Sequence, residues 1–329
     1  MKEKTFDILS TVFVVGFILL VILSNFPGGG SASGDISEVT RNDNFSPSYT
    51  VPPADAWDTL DPGADPWDTT VPAVEGSLGL DYALNDDGAS YAVVGAGGCT
   101  DSHIMIPSTY DGLPVTAIGA KAFAYCDHIT DVTIFGNITS IGEYAFGDSG
   151  LTSITIPGSV TSIGREAFSR CESLESVTLG YGVTCIEEYA FDSCSNLSSV
   201  TIPGSVSAIL DGAFWNCTRL EKVTLEHGVE TIGGQAFSYC GGLVSVNIPS
   251  SVTSIGEYAF YTCVTLERVW IGDGLKRMGY CAFSDCYNLS VVNFDGTTAQ
   301  WKRITEGTDW SRNTSLAAVY CTDGNAYVS

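Results

Sequence analysis

The dipeptide Ala-Phe occurs eight times in this chain of 329 residues, at intervals of 23 residues with one interval of 22. A fixed period of roughly 20 to 50 residues is typical of solenoid proteins, whose units stack because one unit is too small to enclose a core. The periodicity therefore predicts one elongated repeat domain. The eight phenylalanines are Phe123, Phe146, Phe168, Phe191, Phe214, Phe237, Phe260 and Phe283.

One unit reads Leu-x-x-hydrophobic-x-hydrophobic, a turn, and then Val-x-x-Ile-Gly-x-x-Ala-Phe-x-x-Cys-x-x, as in residues 197–220. The alternation predicts a short strand with Val200 and Ile202 inward and Thr201 outward. Parallel strands stacked about 4.8 Å apart would align the apolar residues of all units in one continuous core. We expect the Gly-x-x-Ala-Phe-x-x-Cys segment to return the chain as a short helical turn.

A cysteine follows the Ala-Phe phenylalanine by three residues in seven of the eight units, while Ser149 takes this place in the remaining one. Stacked units point these side chains in the same direction, whereas a disulfide needs its two side chains to face each other. The pattern favours a row of small buried thiols over disulfides along the row. The cysteines are Cys126, Cys171, Cys194, Cys217, Cys240, Cys263 and Cys286.

These motifs resemble the BspA-type leucine-rich repeat family, whose unit is similar to Leu-x-x-Val-x-Ile-Pro-x-x-Val-x-x-Ile-Gly-x-x-Ala-Phe-x-x-Cys. The resemblance implies a right-handed β/α solenoid with parallel strands and about eight units of 23 residues. It places the repeats at residues 120–294, an N-terminal cap at 78–119 and a C-terminal cap at 295–329. Caps are expected because an open end would expose core and unpaired strand. The family is associated with surface-exposed proteins that adhere to macromolecules or cells.

The N-terminal segment predicts where the protein resides. Lys2 and Lys4 precede an apolar span at residues 8–26, which is near the ~20 residues needed to cross a bilayer. The positive-inside rule then places residues 1–7 in the cytoplasm and the repeats outside. A cleaved signal peptide remains the alternative, and either interpretation exports the repeats. Residues 27–77 are rich in Gly, Ser, Pro and Asp, which predicts a disordered acidic stalk.

The charge balance and the absence of catalytic motifs exclude several classes of function. With 14 Lys and Arg against 38 Asp and Glu, the net charge is −24, so we expect no nucleic-acid partner, because phosphate contacts need basic side chains. The chain has no Cys-x-x-Cys, His-Glu-x-x-His, Walker loop or Gly-x-Ser-x-Gly motif. We therefore expect no enzyme activity, no catalytic residues, no cofactor, no metal site and no small-molecule substrate.

The outward positions of the predicted strands form the candidate binding surface, because stacked strands make an extended concave face. Most of these positions are Ser or Thr, but Trp270 and Arg268 break the pattern, and exposed Trp and Arg are enriched at binding hot spots. The alternative is that Trp270 packs beneath the C-terminal cap. The candidate binding residues are Trp270, Arg268, Lys222, Asn247 and Asn293.

Together these features predict a single-pass cell-membrane protein, anchored through its N-terminal helix, that displays the repeats outside the cell. Its expected role is adhesion, or binding to a protein or another cell-surface macromolecule. The alternative is a structural envelope component in which the repeats act as a spacer or associate with each other. The repeat is a scaffold, so the resemblance does not identify a ligand.

Overall fold

The computed structural model describes residues 76–307 and 309–327. The predicted cytoplasmic segment, the membrane span and nearly all of the stalk lie outside these residues. No helix in the described part of the chain has the length and hydropathy needed to cross a membrane. The last residue of the predicted stalk, Ser77, is buried, and its amide donates to the carbonyl of Met105 at 2.9 Å.

A sheet of long strands forms one side of the solenoid, and its strands pair in parallel except for the last. In the strand Ser199–Ile202 the inward residues Val200 and Ile202 are buried and the outward residues Ser199 and Thr201 are exposed, which confirms the predicted alternation. The strands are β3 His103–Ile106, β6 Asp131–Ile134, β8 Ser153–Ile156, β10 Ser176–Leu179, β12 Ser199–Ile202, β14 Lys222–Leu225, β16 Ser245–Ile248, β18 Arg268–Ile271, β20 Val291–Phe294, β22 Ala318–Cys321 and β23 Gly324–Tyr327.

A second sheet consists mostly of two-residue strands, in which a buried Ile follows a more exposed residue. Alternation cannot be recognised over two residues, so the sequence does not reveal this second sheet. The strands are β1 Asp81–Leu84, β2 Tyr91–Gly95, β4 Thr109–Tyr110, β5 Leu113–Ile118, β7 Ser140–Ile141, β9 Ser162–Ile163, β11 Cys185–Ile186, β13 Ala208–Ile209, β15 Thr231–Ile232, β17 Ser254–Ile255, β19 Arg277–Met278 and β21 Thr305–Glu306.

The two ends of the solenoid differ from its repeats. Antiparallel pairs occur at both ends: β1 pairs with β2 and β4 with β5 at the start, and β22 pairs with β23 at the end. The helix α1, Thr298–Trp301, lies before the last two strands of the long sheet, and Thr297 caps its N-terminus. Because the repeat pattern stops here, α1 and the final hairpin supply the last layer over the core.

The Ala-Phe segments form a third ladder, and the predicted helical turn is wrong for them. In one unit Glu166 and Arg170 adopt positive φ angles of 55° and 59°, which an α-helix excludes. The amides of Glu166, Phe168 and Arg170 donate to carbonyls of the next unit at 2.7–3.0 Å. A helical turn would satisfy its amides internally, whereas this conformation directs alternate amides to the neighbouring unit. The "turn ladder" therefore joins successive units as the two sheets do.

The phenylalanines of the Ala-Phe segments stack along the centre of the solenoid. All eight are fully buried, and neighbouring ring centroids lie 4.9–5.3 Å apart with interplanar angles of at most 12°. The stack ends at Phe283, which Trp310 covers edge-on at 6.2 Å. Each ring therefore contacts the units before and after it, and supplies much of the apolar area that one unit cannot bury alone.

Replacement of one central ring should destabilise the whole array. We expect Phe214→Ala to lower the free energy of unfolding by about 3–5 kcal/mol, because it removes the ring between Phe191 and Phe237 and leaves a cavity. Urea denaturation of the wild type and the variant measures this loss. The exposed Thr201→Ala in the same unit is the matched control and should change the value by less than about 0.5 kcal/mol. Equal effects of the two substitutions would contradict the ring stack.

The cysteines of the repeats form a row of buried thiol donors. Each Sγ from Cys171 onward in this row donates to the carbonyl of the phenylalanine one unit earlier, at 3.0–3.3 Å. Ser149, the exception in the row, places its hydroxyl 3.4 Å from the thiol of Cys171. All eleven cysteines have free thiols. The cysteine therefore acts as a small apolar residue that also satisfies a buried carbonyl.

Burial in this row makes the thiols weak acids. Desolvation raises the pKa of Cys240 to about 12 and that of Cys171 to about 11. A cysteine in the unfolded chain ionises with a pKa of about 8.5. Between these values the unfolded state loses a proton that the folded state keeps, so stability falls as the pH rises through this window.

The contribution of one thiol to this pH dependence can be isolated. Above about pH 9 the free energy of unfolding of the wild type should fall more steeply than that of Cys240→Ser, by up to about 1.4 kcal/mol per pH unit. Urea denaturation of both proteins in reductant at several pH values between about 8 and 10.5 measures the two slopes. Ionisation of tyrosines affects both proteins and cancels. Equal slopes would show that Cys240 ionises as readily in the folded state as in the unfolded state.

Candidate binding face

The first and third residues of each long strand point away from the core and form the "long-strand face". In the three successive strands β8, β10 and β12 this face is uniform, because Ser occupies the first position and Thr the third. Parallel pairing places identical side chains side by side. The result is two regular hydroxyl rows, made of Ser153, Ser176 and Ser199 and of Thr155, Thr178 and Thr201.

The C-terminal half of the face is different, and Trp270 lies at its centre. The strands align Trp270 with Asn247 on one side and with Asn293 on the other. The next strand continues the row with Tyr320, which pairs with Asn325 in the final hairpin. This "aromatic-amide row" therefore runs across five neighbouring strands, with Trp270 36% exposed and Tyr320 45% exposed.

Two cations lie in the adjoining row. Lys222 aligns with Ser245, which in turn aligns with Arg268, so the two cations are separated by one strand. Both side chains are exposed, and neither forms an ion pair within the described residues. Arg268 precedes Trp270 by two residues on β18, so their side chains share a face. An exposed guanidinium therefore lies beside a partly exposed indole.

The five residues predicted from the sequence thus share one face of one sheet. Lys222, Asn247, Arg268 and Trp270 are exposed, and Asn293 is partly buried. Trp270 does not lie beneath the C-terminal strands, since its neighbour in that direction is Asn293 and its side chain reaches solvent. Their role in binding remains a proposal.

The final hairpin adds three residues to this face that the repeat pattern of the sequence does not reveal. Tyr320 and Asn325 belong to the aromatic-amide row, and Tyr327, 83% exposed, pairs with Ala318. Tyr320 follows Asn293 by 27 residues instead of 23, because α1 and the Trp310 segment replace the usual unit. A count of 23 residues from Asn293 therefore does not reach Tyr320, and the repeat period does not predict its place in the row. The tyrosines of the C-terminal segment, Tyr320 and Tyr327, are the feature of the sequence that could have identified this part of the face.

An open cleft adjoins the end of the long-strand face. Its volume is about 440 Å³, and it lies where α1 approaches β23. Its lining combines apolar side chains, a lysine and an amide: Trp301, Lys302, Ile304, Asn325, Ala326 and Tyr327. Asn325 belongs to both the cleft and the aromatic-amide row. In the part of the chain that the structure describes, no group of three or more His, Cys, Asp or Glu side chains could hold a metal ion.

Comparison with known families agrees with the repeat architecture. The sequence model of the BspA type leucine rich repeat region matches residues 116–244 and 208–308, with six copies. The chain belongs to this family. Proteins with BspA-type repeats are typically surface-associated, and their solenoids are typically not enzymes. A search of curated proteins found no match.

Solved structures of other leucine-rich repeat proteins are similar to this chain. A leucine-rich repeat protein from Bacteroides ovatus is 24% identical over 75% of this chain and 76% of its own, with a TM-score of 0.51. A leucine rich cell surface protein from Faecalibacterium prausnitzii is 22% identical over 71% of this chain and 97% of its own, with a TM-score of 0.41. A leucine-rich repeat protein of T. pallidum is 26% identical over 66% of this chain and 83% of its own, with a TM-score of 0.39. Of these three, the Bacteroides ovatus structure has a TM-score above 0.5, and at 24% identity it shows the fold alone.

Proposed function

We propose that this protein is a cell-surface binding protein that engages a protein or another cell-surface macromolecule through the C-terminal half of its long-strand face. The observation that carries the proposal is the in-register row in which Trp270 lies between Asn247 and Asn293, with Arg268 beside it. No other stretch of this face within the described residues combines an indole with a cation.

The residue types in this region suit recognition of a macromolecule. Trp, Tyr and Arg carry a large share of the binding energy in protein interfaces, and polar residues at the rim exclude water. Trp270 and Tyr320 supply apolar area, while Asn247 and Asn293 offer hydrogen bonds on either side of the indole. Because these residues project from hydrogen-bonded strands, little conformational entropy is lost when a partner binds.

The N-terminal sequence and the family support the proposed location at the cell membrane. The apolar span at residues 8–26, with Lys2 and Lys4 before it, supports an uncleaved anchor that leaves the repeats outside the cell. The acidic stalk at 27–77 would then hold the solenoid away from the membrane. The surface association typical of BspA-type proteins supports the same placement.

A structural spacer is the second candidate function. The uniform Ser and Thr rows of β8, β10 and β12 favour it, because they offer neither an apolar anchor nor a charge for a specific partner. A spacer would need the repeats only for length or for association with other copies. The two candidates therefore differ in whether Trp270 and Arg268 matter.

The test begins with capture of a saturable partner from glycan and surface-protein preparations by the full chain. In the captured complex, Trp270→Ala should weaken affinity by about thirtyfold, since hot-spot truncation costs about 2 kcal/mol, and Arg268→Ala should weaken it measurably. Titration calorimetry measures both. Thr178→Ala, on the same face at a hydroxyl-row position, is the control and should bind as the wild type does.

Two results would reject the proposed face. Unchanged affinity of the Trp270→Ala/Arg268→Ala double variant would place the contact elsewhere on the protein. Absence of any saturable partner, together with concentration-dependent self-association in sedimentation, would support the spacer.

A further inference from the structure

Five aromatic rings form a continuous surface cluster on the turn ladder, away from the long strands. Trp215, Tyr239, Tyr261, Tyr258 and Tyr280 contact one another in this order, with ring centroids 5.3–5.7 Å apart and interplanar angles of 74–89°. We call this cluster the "turn patch". It spans four units, and none of its rings is buried. Large connected aromatic surfaces are uncommon on proteins without an interaction partner.

The turn conformation brings these rings to the surface, where Tyr239 is 40% exposed and the other four are half-buried. Tyr239 and Tyr258 occupy the positive-φ positions of their turns, with φ of 61° and 56°. Trp215 and Tyr261 directly follow the buried phenylalanine of their units, so they point outward where that ring points inward. The backbone around them is held by hydrogen bonds to the next unit, as when the amide of Tyr239 donates to the carbonyl of Tyr261 at 2.8 Å. The rings are therefore fixed in place before any partner binds.

Three carboxylates lie in the turns of the turn patch, and the guanidinium of Arg312 lies near one of them, Asp285. Asp211, Glu257 and Asp285 belong to the same turns, whereas residues 210–217, 233–240, 256–263 and 279–286 contain no Lys or Arg. Asp285 lies within the cluster, because it hydrogen-bonds the Tyr261 hydroxyl. Hydrogen bonds, first from Asn313 and then from Tyr261, together with the nearby charge of Arg312, hold the pKa of Asp285 below its usual value, so this carboxylate is ionised near neutral pH.

An earlier part of the same ladder shows what this combination of groups binds. The guanidinium of Arg165 lies 5.6 Å from the ring centroid of Tyr189 and forms ion pairs with Glu166 and Glu188. A tyrosine face and carboxylates thus hold an arginine on the turn ladder of this chain. The turn patch presents tyrosines and carboxylates in the same kind of turn, but its own segments supply no cation.

We propose that the turn patch binds arginine or lysine side chains from a basic segment of a partner protein. Ring faces attract cations, and the attraction grows as the cation is desolvated. The surrounding carboxylates add charge complementarity and speed association with a basic partner. The partner's cations would take the place that Arg165 occupies beside Tyr189.

Two other occupants fit the patch less well. Neutral sugar rings stack on flat aromatic platforms, whereas adjacent rings of the patch are nearly perpendicular. A second copy of this chain carries the same net charge of −24, so the carboxylates of the patch would face an acidic surface over most of its length. A basic protein segment satisfies both the rings and the charge.

The experiment separates specific binding from general attraction between opposite charges. A labelled oligo-arginine peptide is titrated into the full chain at about 0.15 M salt, with an oligo-glutamate peptide as the negative control. The Tyr239→Ala/Tyr261→Ala double variant keeps the net charge, so it should lose about tenfold in affinity only if the rings contribute. Tyr181→Ala, at a side chain 70% exposed and outside the patch, is the matched control and should bind as the wild type does.

A second double variant distinguishes loss of the ring faces from loss of the folded structure. Tyr239→Leu/Tyr261→Leu keeps apolar volume in both turns and removes the ring faces, and it should lose affinity while its thermal melting stays near that of the wild type. Trp270→Ala should leave oligo-arginine binding unchanged. The proposal for the turn patch and the proposal for the long-strand face are therefore tested separately.

Three outcomes would overturn the proposal. Equal oligo-arginine affinity of the wild type and both double variants would show general electrostatic attraction only. Binding of a neutral β-glucan oligosaccharide that the double variants lose, with oligo-arginine binding intact, would assign the patch to a glycan. Self-association that the double variants abolish, with oligo-arginine binding intact, would assign it to a second copy of the chain.

Discussion

Contact between neighbouring units is the interaction on which the rest of this structure depends. A unit of 23 residues contributes one long strand, one two-residue strand and one turn, and none of these encloses a core alone. Three ladders of backbone hydrogen bonds and one stack of phenylalanine rings join each unit to the next. Because all four repeat with the same period, a change of register in one would disrupt the others.

This constraint divides the residues of a unit into two groups. Inward positions such as Phe214, Cys217 and Val200 are fixed by stacking, since each is buried and contacts an adjacent unit. Outward positions are free to vary, and most of them are Ser or Thr on the long-strand face. Outward positions at which another residue replaces the usual Ser or Thr are therefore the candidates for binding. Trp270 is one such departure, and the rings of the turn patch are another.

The sequence predicts those parts of the fold that depend on side-chain periodicity. The long strands follow from the alternation around Val200 and the burial of the rings follows from the Ala-Phe spacing, and both are confirmed. The helical turn is wrong because the positive φ of Glu166 and Arg170 has no glycine to mark it, and hydrogen bonds to the next unit maintain it. Local propensity does not report such tertiary contacts.

The candidate binding face shows the same division. Trp270 and Arg268 stand out because they break a regular row, which one sequence is enough to reveal. Tyr320 enters the row only after α1 interrupts the period, so its register depends on how the final strands pair. The turn patch is not evident from the sequence because its rings occupy different positions of the repeat, and only the folded turns bring Tyr261 into contact with Tyr239 and Tyr258 into contact with Tyr280.

The most direct test of this architecture is the deletion of whole units. Removing Ser199–Val244 takes out two complete units and should bring β10 and β16 into pairing, which leaves a shorter solenoid that still unfolds cooperatively. Removing the shorter segment Ser199–Ile232 shifts the register of all later strands and should abolish cooperative unfolding. Urea denaturation followed by circular dichroism compares the two. Similar behaviour of both deletions would contradict an array held together by register-dependent stacking.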